Sequence, residues 1–283
     1  MLRAPTARVL DERDEPAVRR LLAGDPVGAC VLAGRVEAVG TAAAALGAPL
    51  WGFGTADELD AVCLAGANLI PFAVAGAERA AAEAFADRAS RAGRRCSTIV
   101  GPADTVHPLW ELLGPAWGPP RDHRPVQPLL AIDGPPAIVP ELRVRPVRPV
   151  EIDTLFPAAV AMFTEEVGVS PLRGDGGAGY RARVAELVQG GRSLAWIADG
   201  QVLFKADIGA VSRAVCQIQG VWVSPAMRGR GIGAAGTAAV VEYARTAIAP
   251  VVSLYVNDFN APARAAYARV GFREVGRYAS VLF

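Results

Sequence analysis

The chain has 283 residues, 52% of them hydrophobic and 20% charged, and a formal net charge of +1. The length suits two ordinary domains, and the near-neutral charge excludes strong attraction to nucleic acid or to an anionic membrane. The opening "MLRAPTARVL" is too short and polar for a signal peptide, so we expect a soluble, cytoplasmic protein. Arginine supplies nearly all the positive charge, and we interpret the presence of a single lysine, Lys205, as a compositional bias.

The cysteines and the uncharged stretches also favour a soluble, cytoplasmic protein. Four scattered cysteines form no C-x-x-C pair and lie near no histidine at metal-ligand spacing, so we expect buried, reduced thiols and no metal site. Residues 38–56 and 61–77 lack charge, but proline and glycine interrupt them. A membrane span needs roughly 20 mostly apolar residues in one helix, so neither stretch is expected to be one.

The N-terminal half predicts strands and helices in alternation. The strands are expected at residues 6–10, 50–54, 61–66, 68–76, 96–101 and 125–133. Helices are expected at 11–22 and 77–93, and a helical turn at 108–114. The proline-rich run "DGPPAIVP", residues 133–140, resists helix and interior strand, and we place a domain boundary there, giving domains 1–137 and 138–283.

The C-terminal half predicts a similar order. A short strand at 142–148 precedes helices at 151–168 and 180–191, and a hairpin at 193–209 turns at Asp199-Gly200. The remaining strands are expected at 214–223, 251–256 and 274–283, and the remaining helices at 234–248 and 261–270. Trp110 stands four residues before Gly114, as Tyr267 does before Gly271, and we interpret the two halves as an internal structural repeat.

The segment "MRGRGIGAAG", residues 227–236, has two interpretations as a phosphate loop. Gly231, Gly233 and Gly236 spell the dinucleotide fingerprint G-x-G-x-x-G. That fold needs its first glycine almost at the end of the strand, whereas Gly231 lies eight positions after Val223. The 25 residues after Asp258 also cannot supply the remaining parallel strands. The other register, R-x-x-G-x-G from Arg228, presents backbone N–H groups at a helix start, which suits a pyrophosphate.

The surrounding residues resemble a known family. "GVWVSPAMRGRGIG" and "LYVNDFNAPARAAYARVGF" are similar, in order and spacing, to motifs of the GCN5-related N-acetyltransferase (GNAT) superfamily, over residues 142–283. The resemblance implies an α/β (α+β) fold of two GNAT-like domains, each a mixed, mostly antiparallel sheet flanked by helices. The first domain lacks the glycine-arginine loop, which suggests a degenerate copy in a tandem arrangement that does not bind coenzyme A.

The resemblance also implies roles for individual residues. Val221, Trp222 and Val223 would pair with pantetheine through their backbone and polarise the thioester carbonyl. The pyrophosphate would be held by the loop residues Arg228, Gly229, Arg230, Gly231, Ile232, Gly233 and Ala234. Tyr267 matches the family's general acid, with a purely structural tyrosine as the alternative. Asn257 and Asn260 would bond the cofactor or hold the loop after the strand, and Asn260 equally suits a helix cap.

The general base is left open by the sequence. Many family members carry a glutamate where this chain has Gln217, and neither this amide nor that of Gln219 can accept a proton as a carboxylate does. Glu165 and Glu166 lie where the family has acceptor-site helices, and we favour Glu166. Solvated surface charges, a water chain or Asp207 are the alternatives. His107 and His123 lie in or beside the degenerate half and are not expected to be the base.

These residues predict an acyltransferase. We expect direct transfer of an acetyl group from acetyl-CoA to a primary amine of a small molecule or protein, with no metal, no nucleic acid and no membrane, and with a possible homodimer. A non-catalytic acyl-CoA-binding regulatory protein is the alternative, which Gln217 and the degenerate half favour. A dinucleotide oxidoreductase is a distant third.

Overall fold

The computed structural model describes residues 6–55 and 57–283 of the chain, in two compact units. The strands are β1 (Arg8–Val9), β2 (Leu50–Gly54), β3 (Leu59–Ala65), β4 (Asn68–Ala73), β5 (Thr98–Pro102), β6 (Asp122–Ile132), β7 (Arg145–Pro146), β8 (Ser193–Ala198), β9 (Gln201–Val211), β10 (Val215–Val223), β11 (Val251–Tyr255) and β12 (Arg273–Leu282). The helices are α1 (Glu15–Ala23), α2 (Cys30–Val39), α3 (Ala43–Leu46), α4 (Glu78–Ala92), α5 (Ala103–Trp117), α6 (Ile152–Val167), α7 (Ala178–Gln189), α8 (Ile232–Ala247) and α9 (Ala261–Val270).

The N-terminal unit comprises Met1–Leu130 with two later segments, Tyr255–Phe259 and Glu274–Phe283. Its strands lie in the order β1-β2-β3-β4-β5-β12-β6. Neighbours β1 to β4 pair antiparallel, β4 and β5 pair in parallel, and β12 pairs antiparallel with β5. The last long strand of the chain therefore completes the sheet of the first unit.

Helices cover both faces of this sheet because its strands bury side chains on both sides. Trp51 and Phe53 of β2 belong to one core cluster, with Phe85 of α4 and Leu109 of α5. Leu50, the neighbour of Trp51, belongs to a second cluster with residues of α1 and α2. Adjacent strand residues face opposite sides, so each face of the sheet has its own helical layer.

The C-terminal unit comprises Ala131–Leu254 and Asn260–Arg273. Its strands lie in the order β11-β10-β9-β8-β7, antiparallel except for the parallel pair of β10 and β11. On one face, Leu155 of α6 and Val184 of α7 pack with Ala195 of β8. On the other face lies α8, where a Cβ added to Gly236 would fall 2.6 Å from the Phe204 ring. A glycine at this position thus allows helix and strand to approach closely.

The predicted fold class is confirmed: each unit is a mixed, mostly antiparallel sheet flanked by helices. The predicted hairpin is also present, with Asp199 and Gly200 both at positive φ (50° and 69°), as a tight two-residue turn requires. The compact units change at Leu130–Ala131, close to the boundary predicted at residues 137–138. The N-terminal unit also includes most of β12, so no single position in the chain separates the two units.

Two predicted elements differ from the structure, and helices α2 and α3 have no predicted counterpart. The expected helical turn at 108–114 is the 15-residue helix α5, which contains Pro108 and Pro115. Helix α2 was not predicted, because its start has no side-chain cap and its sequence has no clear amphipathic pattern. The strand expected at 142–148 is reduced to the two residues of β7, where Pro146 lacks the N–H that a longer ladder needs. Within residues 6–55 and 57–283, no helix is long and apolar enough to cross a membrane.

Candidate functional site

The site is built around the point where two parallel strands of the C-terminal unit part. Strands β10 and β11 pair from Val215 with Val251 to Gln217 with Ser253. Beyond Gln217, β10 continues to Val223 while remaining paired with β9 on its other side. The backbone of Val221, Trp222 and Val223 therefore lies beyond the paired stretch of β10 and β11. This is the geometry expected of a strand that receives a ligand in extended form.

A bulge marks the start of this open stretch. Gln219 pairs with Asp207 and Trp222 pairs with Lys205, so two residues of β10, Gly220 and Val221, lie opposite one residue of β9. Gly220 has a φ of 60°, which glycine adopts at little cost. A Cβ there would also meet Met162 Cε at 2.9 Å. The bulge thus requires glycine for its conformation and for its space.

A buried ion pair lies beside the bulge. Lys205 is completely buried, and its Nζ donates to Asp207 Oδ2 at 2.6 Å and to the Gly220 carbonyl oxygen at 3.1 Å. The other Asp207 oxygen accepts a hydrogen bond from Ser193 Oγ at 2.6 Å. The carboxylate that was an alternative general base therefore has a cation on one oxygen and a hydroxyl on the other. An arrangement with both oxygens engaged favours a structural or electrostatic role over proton abstraction.

The glycine-rich loop leads directly into α8. Eight residues, 224–231, separate β10 from the helix, and Gly229 and Gly231 both have positive φ, 74° and 77°. The first intrahelical bond of α8 runs from Ala235 N to the Gly231 carbonyl oxygen. The N–H groups of the preceding helical residues, 232–234, thus have no acceptor within the helix. They form a set of donors at the positive end of a 16-residue helix.

Arg228 of this loop is engaged by the chain itself. Its Nε donates to the Val223 carbonyl oxygen at 3.1 Å, and its Nη2 donates to Glu165 Oε2 at 2.7 Å. The other Glu165 oxygen accepts from Trp222 Nε1 at 3.1 Å. Both charged side chains are about half exposed, 48% for Arg228 and 47% for Glu165. Ion pairs this exposed contribute ~0–1 kcal/mol, so an incoming anion can replace the carboxylate at small cost.

Tyr267 and Glu166 are close enough for the charge of Glu166 to act on the Tyr267 phenol. Tyr267, on α9, is 8% exposed and its ring meets that of Phe272 edge to face, with centroids 6.0 Å apart. Burial, and then the negative charge of Glu166, raise the pKa of the Tyr267 phenol. The phenol is therefore kept protonated at neutral pH, as a proton donor must be. Of the two adjacent glutamates, Glu166 is the one whose charge acts on Tyr267, while Glu165 binds Arg228.

The two asparagines have different positions. Asn260 caps α9 by accepting a hydrogen bond from Ala263 N at 3.2 Å, which was one of its two predicted roles. Asn257 is buried in the N-terminal unit, where its Oδ1 accepts from Gln127 Nε2 at 2.8 Å. Gln127 in turn accepts from Ser280 Oγ at 2.6 Å. Both side chains thus have hydrogen-bond partners within the chain, and their predicted roles in holding the cofactor or the loop after the strand remain predictions.

Gln217 lies where the family resemblance places a base, and it is 5% exposed. Among residues 6–55 and 57–283, its Nε2 is a buried nitrogen without a hydrogen-bond partner. Gln219 is exposed, and its side chain lies over Gly209, where an added Cβ would be 2.1 Å from it. Neither amide can serve as a proton acceptor of carboxylate strength.

The corresponding region of the N-terminal unit is closed. Only four residues, 74–77, join β4 to α4, and the Glu78 carboxylate accepts a hydrogen bond from Gly76 N at 2.8 Å. An anion at this helix start would meet a negative charge that the chain already supplies. His107 and His123 lie in this unit, with ring centroids 6.5 Å apart.

The remaining expectations concern cysteine and metal. All four cysteines are free and buried, which agrees with the expected thiols. Within the described part of the chain, no group of three or more histidine, cysteine, aspartate and glutamate side chains is arranged to hold a metal ion.

Comparison with known proteins agrees with this geometry. Residues 183–272 match the acetyltransferase (GNAT) family, and residues 48–155 match a domain of unknown function, DUF4081. No curated protein matches the sequence. Among solved structures, a Drosophila protein is similar over 99% of both chains, with 14% identity and a TM-score of 0.66.

Two further solved structures are similar over nearly their whole length. A GCN5-related N-acetyltransferase from Sphaerobacter thermophilus is 20% identical, with a TM-score of 0.54, over 98% of this chain and 94% of that one. A tandem GNAT protein from the clavulanic acid biosynthesis pathway is 16% identical, with a TM-score of 0.51, over 98% of both chains. At these identities the likeness establishes the fold.

The match of residues 183–272 to the acetyltransferase (GNAT) family supports an acyltransferase. Residues 183–272 thus form a domain of the GNAT family, and the fold of nearly the whole chain is like that of a tandem GNAT protein.

Proposed function

We propose that the C-terminal unit transfers an acetyl group from acetyl-CoA to a primary amine of a small molecule or a protein. The observation that supports this most directly is the open stretch of β10 leading into the glycine loop and the start of α8. An extended pantetheine arm suits Val221–Val223, and a pyrophosphate suits the N–H groups of Ile232, Gly233 and Ala234. Gly229, Arg230 and Gly231 supply the loop conformation and a further positive charge.

Arg228 would bind the pyrophosphate by exchanging partners. Its guanidinium is held by a half-exposed carboxylate, and a pyrophosphate carries more negative charge than Glu165 does. The exchange would leave Glu165 with its hydrogen bond from Trp222 and with a free oxygen. Glu165 then adds negative charge near the reacting groups, which suits a cationic amine as acceptor.

The reaction follows from these positions. The neutral amine nitrogen attacks the thioester carbon, and the electron pair of the C=O bond moves onto oxygen. A backbone N–H of the open stretch of β10 stabilises this oxyanion. The C–S bond then breaks, sulfur keeps the electron pair and receives the proton of Tyr267, and the amine nitrogen loses a proton to Glu166 or to water.

A binding experiment combined with an activity screen tests this proposal. Acetyl-CoA, but not NAD, is expected to raise the melting temperature of the full chain, because a ligand at 100 times its Kd adds about 2.7 kcal/mol of stability. Mass spectrometry of an amine panel incubated with acetyl-CoA is expected to find an acetylated product. Stabilisation by NAD alone would overturn the family-based assignment of the loop.

The alternative is a regulatory protein that binds acyl-CoA without turnover. Gln217 favours this alternative, because its buried amide occupies the position where many family members have a glutamate that can act as the general base. Binding of acetyl-CoA without acetylation of any amine, together with an unchanged amount of free thiol, would support the alternative over the enzyme.

A further inference from the structure

Lys205 stands out because it is the single lysine in a chain with 29 basic residues, and it is completely buried. The compositional bias toward arginine does not explain why this position holds a lysine. A lysine presents a compact ammonium with three donors, whereas arginine presents a broad planar fork. The space beside the bulge is narrow, since a Cβ added to Gly220 would lie only 3.1 Å from Nζ, and a narrow space suits the compact group.

The ammonium acts on one particular peptide group. Its hydrogen bond goes to the Gly220 carbonyl oxygen, and that carbonyl shares a planar peptide with the N–H of Val221. A cation on the oxygen draws electron density from the nitrogen and so makes the N–H a stronger donor. Since C=O and N–H point in opposite directions across a trans peptide, Lys205 and a ligand on Val221 N–H occupy opposite ends of it.

The Asp207 carboxylate beside Lys205 weakens the polarisation of this peptide by the ammonium. Asp207 lies 2.6 Å from Nζ and offsets part of its charge, and the Ser193 hydroxyl fixes the carboxylate in place. The pair also has low solvent exposure, 0% for the lysine side chain and 10% for that of the aspartate. Screening by water is weak at such a site, so a change in either charge is felt by the Gly220–Val221 peptide.

We propose that Lys205 is a positioning residue that strengthens Val221 N–H as a hydrogen-bond donor to the thioester carbonyl oxygen, and that Asp207 sets how strongly it does so. The inference rests on the proposed function, because it needs the acyl carbonyl to lie against the open stretch of β10. It adds a polarising cation that never touches the substrate. An ion pair with a purely structural role would stabilise the fold and leave the bound thioester unaffected.

The carbonyl stretching frequency of bound acetyl-CoA, labelled with ¹³C at the acetyl carbonyl, separates the two roles in the full chain. Lys205→Met removes the cation, so the carbonyl is less polarised and its frequency is expected to rise. Asp207→Asn removes the offsetting charge, so the frequency is expected to fall below that of the wild type. The spectrum is recorded without acceptor, so any part Asp207 plays in proton transfer does not enter.

Turnover provides the second readout. Lys205→Met is expected to lower kcat at least about tenfold with little change in KM for acetyl-CoA, since loss of a direct oxyanion donor typically costs 10²–10³-fold. If the buried, unpaired Asp207 prevents this variant from folding, Lys205→Met with Asp207→Asn removes both charges. The double variant is expected to show the raised frequency as well.

The outcomes distinguish the inference from the function on which it rests. A folded variant lacking Lys205 that binds acetyl-CoA with the wild-type frequency would overturn the role of Lys205 and leave the proposed function standing. Failure of the wild-type chain to bind acetyl-CoA at all would overturn the proposed function, and the inference with it.

Discussion

Tyr267 is the residue that we propose as the proton donor, and its buried phenol, whose pKa is raised by burial and by the charge of Glu166, carries its proton at neutral pH. Tyr267→Phe keeps the ring and its packing against Phe272 but removes the proton. We expect kcat to fall at least about tenfold, since general acid catalysis typically contributes 10²–10⁴-fold. Affinity for acetyl-CoA, measured by calorimetry, is expected to stay the same. An unchanged kcat would mean that the thiolate leaves without a side-chain acid.

The adjacent glutamates allow a matched comparison. Glu166→Gln is expected to depress kcat/KM for amines, because it removes a candidate proton acceptor near Tyr267. Glu165→Gln is expected to have a smaller effect on the reaction, because Glu165 is bound to Arg228 and Trp222. The rate is expected to rise with pH as the bound amine loses its proton. A pH–rate profile of both variants is the measurement, and two profiles that overlay the wild type would make these glutamates surface charges.

Single residues were only partly predictable from the sequence. The motif spacing located Tyr267 and the loop glycines, because each belongs to a pattern that a short stretch of chain displays. The sequence indicates no role for Lys205, because its partners Asp207 and Gly220, and the Ser193 hydroxyl that binds Asp207, come together only when β8, β9 and β10 pair. The solitary lysine was a signal in the sequence, but nothing in its neighbours indicated what it contacts.

The role of the loop before α8 can be tested by comparing Gly231 with a glycine elsewhere in the chain that has nearly the same backbone conformation. Gly231 (φ 77°, ψ −2°) and Gly47 (φ 71°, ψ 7°) are both left-handed, and a Cβ on either would meet no atom within 4 Å. Valine at either position is expected to cost about 1–3 kcal/mol through backbone strain. Only Gly231→Val is expected to abolish binding of acetyl-CoA, which calorimetry measures. Equal binding by a folded Gly231→Val and by Gly47→Val would remove the loop from the cofactor site.

Elements with clear local signals were predicted well, and elements stabilised by burial were not. The Asp199-Gly200 turn and the stop of α9 at Gly271 depend on residues that the backbone conformation itself selects. Helix α5 continues through Pro108 and Pro115 because the buried residues Leu109 and Leu113 hold it in the core. A prediction from sequence takes account of the backbone hydrogen bonds that proline removes from a helix. It does not include the contacts with distant segments that compensate for them.

At the scale of the whole chain, we expect one site for coenzyme A, in the C-terminal unit, and none in the N-terminal unit. The four-residue connection from β4 to α4 contains no glycine-arginine loop, and Glu78 places its carboxylate on a backbone N–H at that helix start. We expect calorimetry of the full chain to show one equivalent of acetyl-CoA bound. Gly231→Val is expected to reduce this to zero. Two equivalents bound by the wild type and one by Gly231→Val would place a second site in the N-terminal half.

The repeat itself was visible in the order of elements, whereas the exchange of a strand was not. The segment 274–283 has the alternation of a strand, and nothing in its residues indicates which sheet it joins. The structure pairs Val281 with Ile99 and Ala279 with Gly101, so the partner strand lies far away in sequence. Such long-range pairing is decided by the fit of two surfaces and not by a local pattern.

The place of β12 in the N-terminal unit has a consequence for synthesis. Domains of a growing chain generally fold from the N-terminus as they emerge from the ribosome. Here the sheet of the first unit cannot be completed until residues 273–282 have been translated and have left the exit tunnel, after the whole acetyltransferase domain has emerged. Through that interval one edge of β5 lacks its antiparallel partner, and the nascent chain depends on the delay being short or on a chaperone covering that edge.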